Sequence, residues 1–351
     1  MVCVPILSEG ANMLKHHGQR TSRAALTGIL AVLLCMVLGS WSCSKGDQAG
    51  KVATVTIGEN PNETKALIYI AEERGLFAAN GINVVSKNYE SGVTAAKGLV
   101  KGEVDLATSA EFVTVGNILK NEPVRIIACI DRFESTYIIG RNDKGITGIS
   151  NLMGKRIGVA RQTSTEFYLG RFLDLHGMSI KQLTLVNVSP AQSVHALASG
   201  SVDGVAVIQP HANTIRQNLG DGVVVWPAQS GQLGYFNVIS TLTWTASHPE
   251  VILRFLRSLI QAENYAVRHP NEAKAIVRKR LQYDDAYINA VWPEHQFFVS
   301  LDQGLIVAME DEARWMIRNN FTNEKQIPDF LNYIHVNELK AVRAEAVNII
   351  E

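Results

Sequence analysis

The chain has 351 residues, of which 46% are hydrophobic and 19% charged, enough for about two domains around a sizeable core. Lysine plus arginine and aspartate plus glutamate balance at 33 each, so no global charge draws the chain to nucleic acid or to an acidic membrane.

Lys15, Arg20 and Arg23 precede the apolar run "AALTGILAVLLCMVL" from Ala24 to Leu38. That run is about 15 residues, short of the about 20 that span a bilayer, so residues 1–42 read as an export signal. Met13 is an alternative start, because the first twelve residues add nothing a signal needs. Cys43 after Ser42 resembles a bacterial lipobox, with Ser40 and Trp41 departing from its usual Leu and small residue. Lipid on Cys43 would make residues 43–50 a tether; simple signal cleavage and an uncleaved anchor are the alternatives. Of the four cysteines, Cys3 and Cys35 would leave with the signal, and a lipidated Cys43 leaves Cys129 without a disulfide partner. Cys129 lies in "VRIIACI" and reads as core, not as a nucleophile.

"KVATVTIGE" (51–59) alternates as a strand, and "ETKALIYIAEERGLFAANG" follows as a helix closing near Gly75 and Gly81. "INVVSKNY" is a strand, "GVTAAKGLVKG" a helix, "VDLATSA" a strand, and "VGNILKNEPVRIIACI" another helix and strand. The pattern restarts with "RIGVA" (156–160) and a helix placing Phe167, Leu169, Phe172, Leu173 and Leu175 inward. "LTLVNV" is a strand, "SPAQSVHALASG" a helix with Ser189 as cap and Pro190 first, and "VDGVAVIQ" a strand. "YFNVISTLTW" is extended, and from His248 onward strands give way to amphipathic helices.

One phrase occurs twice, "LVKGEVDLATSA" from Leu99 and "LASGSVDGVAVIQ" from Leu197. Gly102 and Gly200 suit the left-handed position after a helix, Asp105 and Asp203 the turn, and the apolar residues that follow a buried strand. Two copies are too few for a solenoid and imply two similar α/β lobes with a cleft between them. The expected division is 51–140 in lobe 1, 141–238 in lobe 2 and 239–351 returning to lobe 1. Crossings and hinges are expected near Ile138–Arg141 and Phe236–Thr241.

Five stretches in order, "ALIYIAEERGLFAANGINV" (66–84), "LVKGEVDLA" (99–107), "NLMGKRIGVA" (151–160), "LASGSVDGVAVIQP" (197–210) and "AENYAVRHPNEA" (262–273), carry a family resemblance. The chain resembles the nitrate/sulfonate/taurine class of ABC-transporter solute-binding proteins, which includes thiamine-pyrimidine-precursor binders. The resemblance implies a type II periplasmic-binding-protein-like fold, each lobe a mostly parallel sheet flanked by helices, closing on a small molecule. It further implies a monomer working with a membrane permease and its ATPase. Pocket positions vary with ligand, so the resemblance leaves a sulfonate, a nitrate-like anion and a pyrimidine or other heterocycle open.

In open parallel sheets ligands sit beyond the carboxyl ends of the strands. Asn60 follows the first strand, and Ser109 and Glu111 follow "VDLAT". "QTST", Gln162, Thr163, Ser164 and Thr165, joins a strand to a helix and offers N–H groups and three hydroxyls to an anion. Capping by Thr163 or Thr165 is the plainer role for it. Gln209 and His211 flank Pro210 after the last strand of the second copy. A carboxylate from Glu59 or Glu111 in the cleft would favour an amine or ring N–H over a bare anion. Trp226 is the one tryptophan to place near the cleft. No phosphate loop, GxGxxG, HExxH, GxSxG elbow or paired-cysteine metal spacing occurs, so neither catalysis, cofactor nor metal is expected. The alternatives are an enzyme of pyrimidine or menaquinone-precursor metabolism, and an extracytoplasmic ligand sensor.

Overall fold

A computed structural model describes residues 52–350; the expected signal, Cys43 and the tether lie outside them. The first sheet contains β1 (Ala53–Glu59), β2 (Ile82–Asn88), β3 (Leu106–Ala110) and β4 (Val124–Phe133). β5 (Thr136–Arg141), β6 (Arg156–Val159), β7 (Thr184–Asn187), β8 (Gly204–Ile208) and β9 (Val223–Pro227) form the second. β10 (Gly234–Thr241) and the two-residue β11 (His295–Gln296) return to the first. The strand orders are β11-β4-β10-β3-β1-β2 and β7-β6-β8-β5-β9.

β1 pairs parallel with β2 and β3, and β6 pairs parallel with β7 and β8. β10 runs antiparallel between β3 and β4, and β5 runs antiparallel between β8 and β9. The expectation of mostly parallel sheets therefore fails for the strand that follows each crossing, β5 and β10, and for the two-residue β11, antiparallel to β4, and holds for the other strands. A strand entering from the opposite lobe comes in against the prevailing direction.

The crossings lie at Glu134–Ser135 and at 228–233, not at Ile138–Arg141 and Phe236–Thr241. Lobe 2 accordingly runs from Thr136 to Pro227, so the expected boundaries at 140 and 238 fall inside strands. The run "IIACIDRFESTYII" has no glycine or proline to mark where one sheet ends, and both strands are largely buried. Gln229, fully buried in the second crossing, fastens it to the first. Its Oε1 accepts from Ser135 N at 2.8 Å and Thr136 N at 3.1 Å, and its Nε2 donates to the Phe133 and Gln232 carbonyls, both at 2.9 Å.

The repeated phrase has a structural counterpart. Gly102 and Gly200 both adopt φ +73°, ending their helices in the left-handed region. Asp105 Oδ2 accepts from Thr56 N of β1 at 2.8 Å, and Asp203 Oδ2 accepts from Arg156 N of β6 at 2.9 Å. Each aspartate thus ties the turn before one strand to the first strand of its lobe.

The lobes touch behind the cleft. Trp315, from the helix Gln303–Arg318, meets the rings of Phe112 at 6.0 Å and Phe167 at 5.7 Å. Phe112 belongs to lobe 1 and Phe167 to lobe 2, so this cluster spans both. Gly170 allows the approach, since a Cβ there would lie 2.6 Å from the indole. Leu175, expected inward, is 56% exposed, because the helix Ser164–Leu175 ends there beyond the core. After His248 the helices Pro249–Arg268, Pro270–Leu281 and Gln303–Arg318 dominate, and the first packs on the helix Ala66–Glu73 of lobe 1. Short strands do persist there, β11 and the pair Leu301–Asp302 and Val347–Asn348.

Candidate functional site

The strand ends of both sheets face a cleft of about 300 Å³ between the lobes. Of the expected site residues, Asn60, Thr163, Ser164, Thr165, Gln209 and His211 line it. Ser109, Glu111 and Gln162 do not. Ser109 is fully buried behind Gly92 and its hydroxyl meets Thr114 Oγ1 at 3.3 Å. Glu111, at the head of its helix, turns away from the cleft toward Tyr168 Oη, 3.4 Å away, and Glu312. Gln162 is exposed with φ +62°, and its N–H donates to Glu166 Oε2 at 2.8 Å. Trp226 packs near the Phe172 ring at 6.5 Å and lies outside the lining.

Lobe 2 presents the start of the helix Ser164–Leu175. Thr163 occupies the cap position, but its hydroxyl donates to the Ala160 carbonyl at 2.8 Å and caps nothing. The backbone N–H groups of Ser164 and Thr165, and both hydroxyls, make no hydrogen bond among the described residues. Ala191, next to Pro190 in the helix Pro190–Ser199, has an equally free N–H. In lobe 1 the N–H groups of Gly92 and Val93, opening the helix Gly92–Val100, are free as well. Three helix starts therefore aim unspent donors and positive dipole ends at one space.

The side chains leave the charge balance to these dipoles. Among the described residues lining the cleft there is no lysine or arginine. Burial pushes His211 below the ordinary histidine range, so the imidazole is neutral at pH 7. Glu63 lines the cleft, but its carboxylate accepts from Tyr283 Oη at 3.0 Å and Tyr287 Oη at 3.1 Å. Burial opposes its charge, yet His295, the local backbone and the Tyr283 hydroxyl hold it ionised, down to about 2. Glu90 sits exposed at the rim. Glu166 is spent behind the helix start on Arg161 Nε, at 2.8 Å, and the Gln162 N–H. Phe133, Phe236, Val93, Val113 and Ile208 supply an apolar wall.

Gln209 precedes a cis peptide bond to Pro210, and its Oε1 accepts from Asn213 N at 3.1 Å. Its Nε2 donates across to Glu294 Oε1 of lobe 1 at 3.3 Å, and Tyr137 Oη donates to the same oxygen at 2.6 Å. Glu294, Lys65 and Gln229 shape the site and were not expected from sequence. Lys65 alone left a trace, a cation opening an apolar helix where the dipole disfavours it. No group of three or more His, Cys, Asp or Glu among the described residues is arranged to hold a metal. No helix among them is long and apolar enough to cross a membrane.

The fold is shared with solved binding proteins. The alkanesulfonate-binding protein SsuA from Xanthomonas axonopodis pv. citri, bound to MOPS, matches with TM-score 0.69 and 16% identity, over 82% of this chain and 99% of that one. The periplasmic nitrate-binding protein NrtA from Synechocystis PCC 6803 matches with TM-score 0.67 and 16% identity, over 84% and 89%. At such identities the likeness speaks for the fold. In sequence, the taurine-binding periplasmic protein of Escherichia coli (strain K12) is 24% identical over 209 residues, 58% of this chain and 63% of that one. The family model described as NMT1/THI5 like matches residues 62–273, well over half of the chain, and the chain belongs to that NMT1/THI5-like family.

Proposed function

We propose that this protein is an extracytoplasmic receptor that captures a small oxyanion-headed solute, such as a sulfonate, a nitrate-like anion or a carboxylate, between its lobes. It hands the solute to an ABC permease and its ATPase, and Cys43 carries the lipid that keeps the monomeric receptor at the membrane. The observation that carries this reading is the convergence of three helix starts with free N–H groups on a cleft without cationic side chains. Such donors bind an anion by hydrogen bonding and dipole alone. Neither Glu59 nor Glu111 lines the cleft, the Glu63 carboxylate is taken by Tyr283 and Tyr287, and Glu90 stands at the exposed rim, which weakens the argument for an amine-bearing ligand. The aromatic wall of Phe133 and Phe236 suits an organic body behind the anionic head, and keeps an acidic heterocycle within the class. Binding without chemistry fits a lining whose one histidine has no paired nucleophile.

The ligand contacts both lobes, so it favours the closed arrangement through its differential affinity. Thermal-shift and calorimetric titration with ethanesulfonate, taurine, nitrate and benzoate test the reading. A solute at about 100 times its dissociation constant adds roughly 2.7 kcal/mol, several degrees in melting temperature. Ser164→Ala combined with Thr165→Val removes two free hydroxyls. At about 1.5–3 kcal/mol for each hydrogen bond to a charged group, affinity should fall at least tenfold. A panel without a single binder, or a double variant that binds as tightly as the parent, would sink the reading.

A further inference from the structure

We propose that Lys65 is a positioning residue for solute recognition: its buried ammonium orients the Asn60 and Asn62 carboxamides so that both Nδ2 groups donate into the cleft. This rests on the oxyanion reading above and deepens it, since it makes the facing wall of lobe 1 a donor surface too.

Lys65 is fully buried and does not itself line the cleft. Its Nζ lies 4.4 Å from the centre of the Phe236 ring, which does line it. The ammonium meets three acceptors, Asn60 Oδ1 at 3.3 Å, Asn62 Oδ1 at 2.6 Å and Thr64 Oγ1 at 3.1 Å. A lysine has three N–H donors and no acceptor, so only the oxygen end of a carboxamide can face it. That decides the choice between the two ends of each amide, which shape alone leaves open. Asn62 Oδ1 is further committed by Thr64 N at 3.1 Å and Thr64 Oγ1 at 2.5 Å. The Nδ2 groups of Asn60 and Asn62 have no partner among the described residues, and neither is sealed from solvent. Both residues line the cleft, opposite the free N–H groups of Ser164 and Thr165.

Three carboxyl groups offset the burial of the cation. Glu59 on β1, Glu63 beside it and Asp131 on β4 attract it, and His295 bridges the last two, 2.6 Å from Asp131 Oδ2 and 3.8 Å from Glu63 Oε1. Burial pulls the ammonium down to about 7 against that attraction.

Two measurements on the full chain test the assignment. Nitrogen-15 NMR of the unliganded protein reads the ammonium directly. A slowly exchanging Lys65 NH3 signal coupled through hydrogen bonds to the Asn60 and Asn62 carboxamide carbons is expected. Amide protons of either asparagine pointing at Lys65 would overturn it. Calorimetry with ethanesulfonate and nitrate then compares the parent with Lys65→Met and Asn62→Asp. Asn62→Asp keeps an oxygen toward Lys65 and replaces the cleft-side donor by an acceptor. It should fold as stably as the parent and bind at least tenfold more weakly, as should Lys65→Met. Undiminished binding by Asn62→Asp overturns the proposal even if Lys65→Met fails to fold. Failure of both probes to bind the parent counts against the oxyanion reading, while the NMR result still decides the role of Lys65.

Discussion

Gln229→Leu is expected to lower the melting temperature by about 4 °C or more, and to loosen the tie between the lobes. The parent side chain is fully buried and makes four hydrogen bonds, two to N–H groups of the first crossing and two to carbonyls. Leucine fills similar space and satisfies none of them. Each buried group left without a partner costs about 1–3 kcal/mol, so even two uncompensated N–H groups, on Ser135 and Thr136, amount to about 3 kcal/mol. For the roughly 300 residues of the folded part that is about 1.5 °C per kcal/mol. Arg171 Nη1 donates to the Gln229 backbone carbonyl at 2.8 Å, a bond the substitution does not remove, so the second crossing should keep one anchor. Circular dichroism melts give the stability, and small-angle scattering the spread of the lobes. An unchanged melting temperature would mean that Gln229 does not stitch the crossings together.

The second large effect is a dependence on pH. Burial, partly offset by hydrogen bonds from the Tyr235 and Glu111 backbone, raises the Glu111 carboxyl from 4.5 to about 7. Burial and Glu111 itself hold Glu312 well above the ordinary carboxylate range. Both side chains are fully buried where Tyr168 of lobe 2 reaches Glu111 of lobe 1. A carboxyl raised in the folded state keeps its proton there more readily than in the unfolded chain. Stability is therefore full below about 4.5 and falls as pH rises toward about 7, by about 3 kcal/mol for Glu111 alone. Glu63, held down to about 2, acts only at lower pH, where its contribution is lost as pH falls. Lys65, at about 7, and His295, raised to about 10, act mainly above this window and in opposite directions. The melting temperature should thus decline between pH 5 and pH 7. Glu312→Gln, neutral at every pH, should flatten the decline and melt higher than the parent at pH 7.5. A parent whose melting temperature rises from pH 5 to pH 7 would refute the assignment.

The contrast between these residues and those named from sequence is physical. Gly102 and Gly200 were legible because a positive φ is a local demand that few residue types meet. Thr163 to Thr165 were legible because a strand joined to a helix by small polar residues exposes a helix start wherever it sits. Ser109, expected after its strand, lies within β3, and Glu111 follows that strand as Asn60 follows β1, yet the packing of β10 beside β3 and of the helix Gln303–Arg318 sealed both inside. Nothing within "VDLATSAEF" records that β10 lies beside it. Gln229 and Glu294 were illegible for the same reason, since every partner they hold lies 85 or more residues away along the chain, Gln232 and the carbonyl contact of Arg171 aside.

By itself the sequence determined the order of strands and helices, the two-lobe repeat with its cleft and the open, small polar start of the helix Ser164–Leu175. These rest on period, turn chemistry and capping, interactions between residues close in the chain. Tertiary structure alone decided where the chain crosses between lobes, which polar residues face the cleft, and that a buried lysine stands behind its wall. Those depend on partners brought together by folding, and a burial cost or a hydrogen bond between distant segments leaves no mark on either segment until they meet.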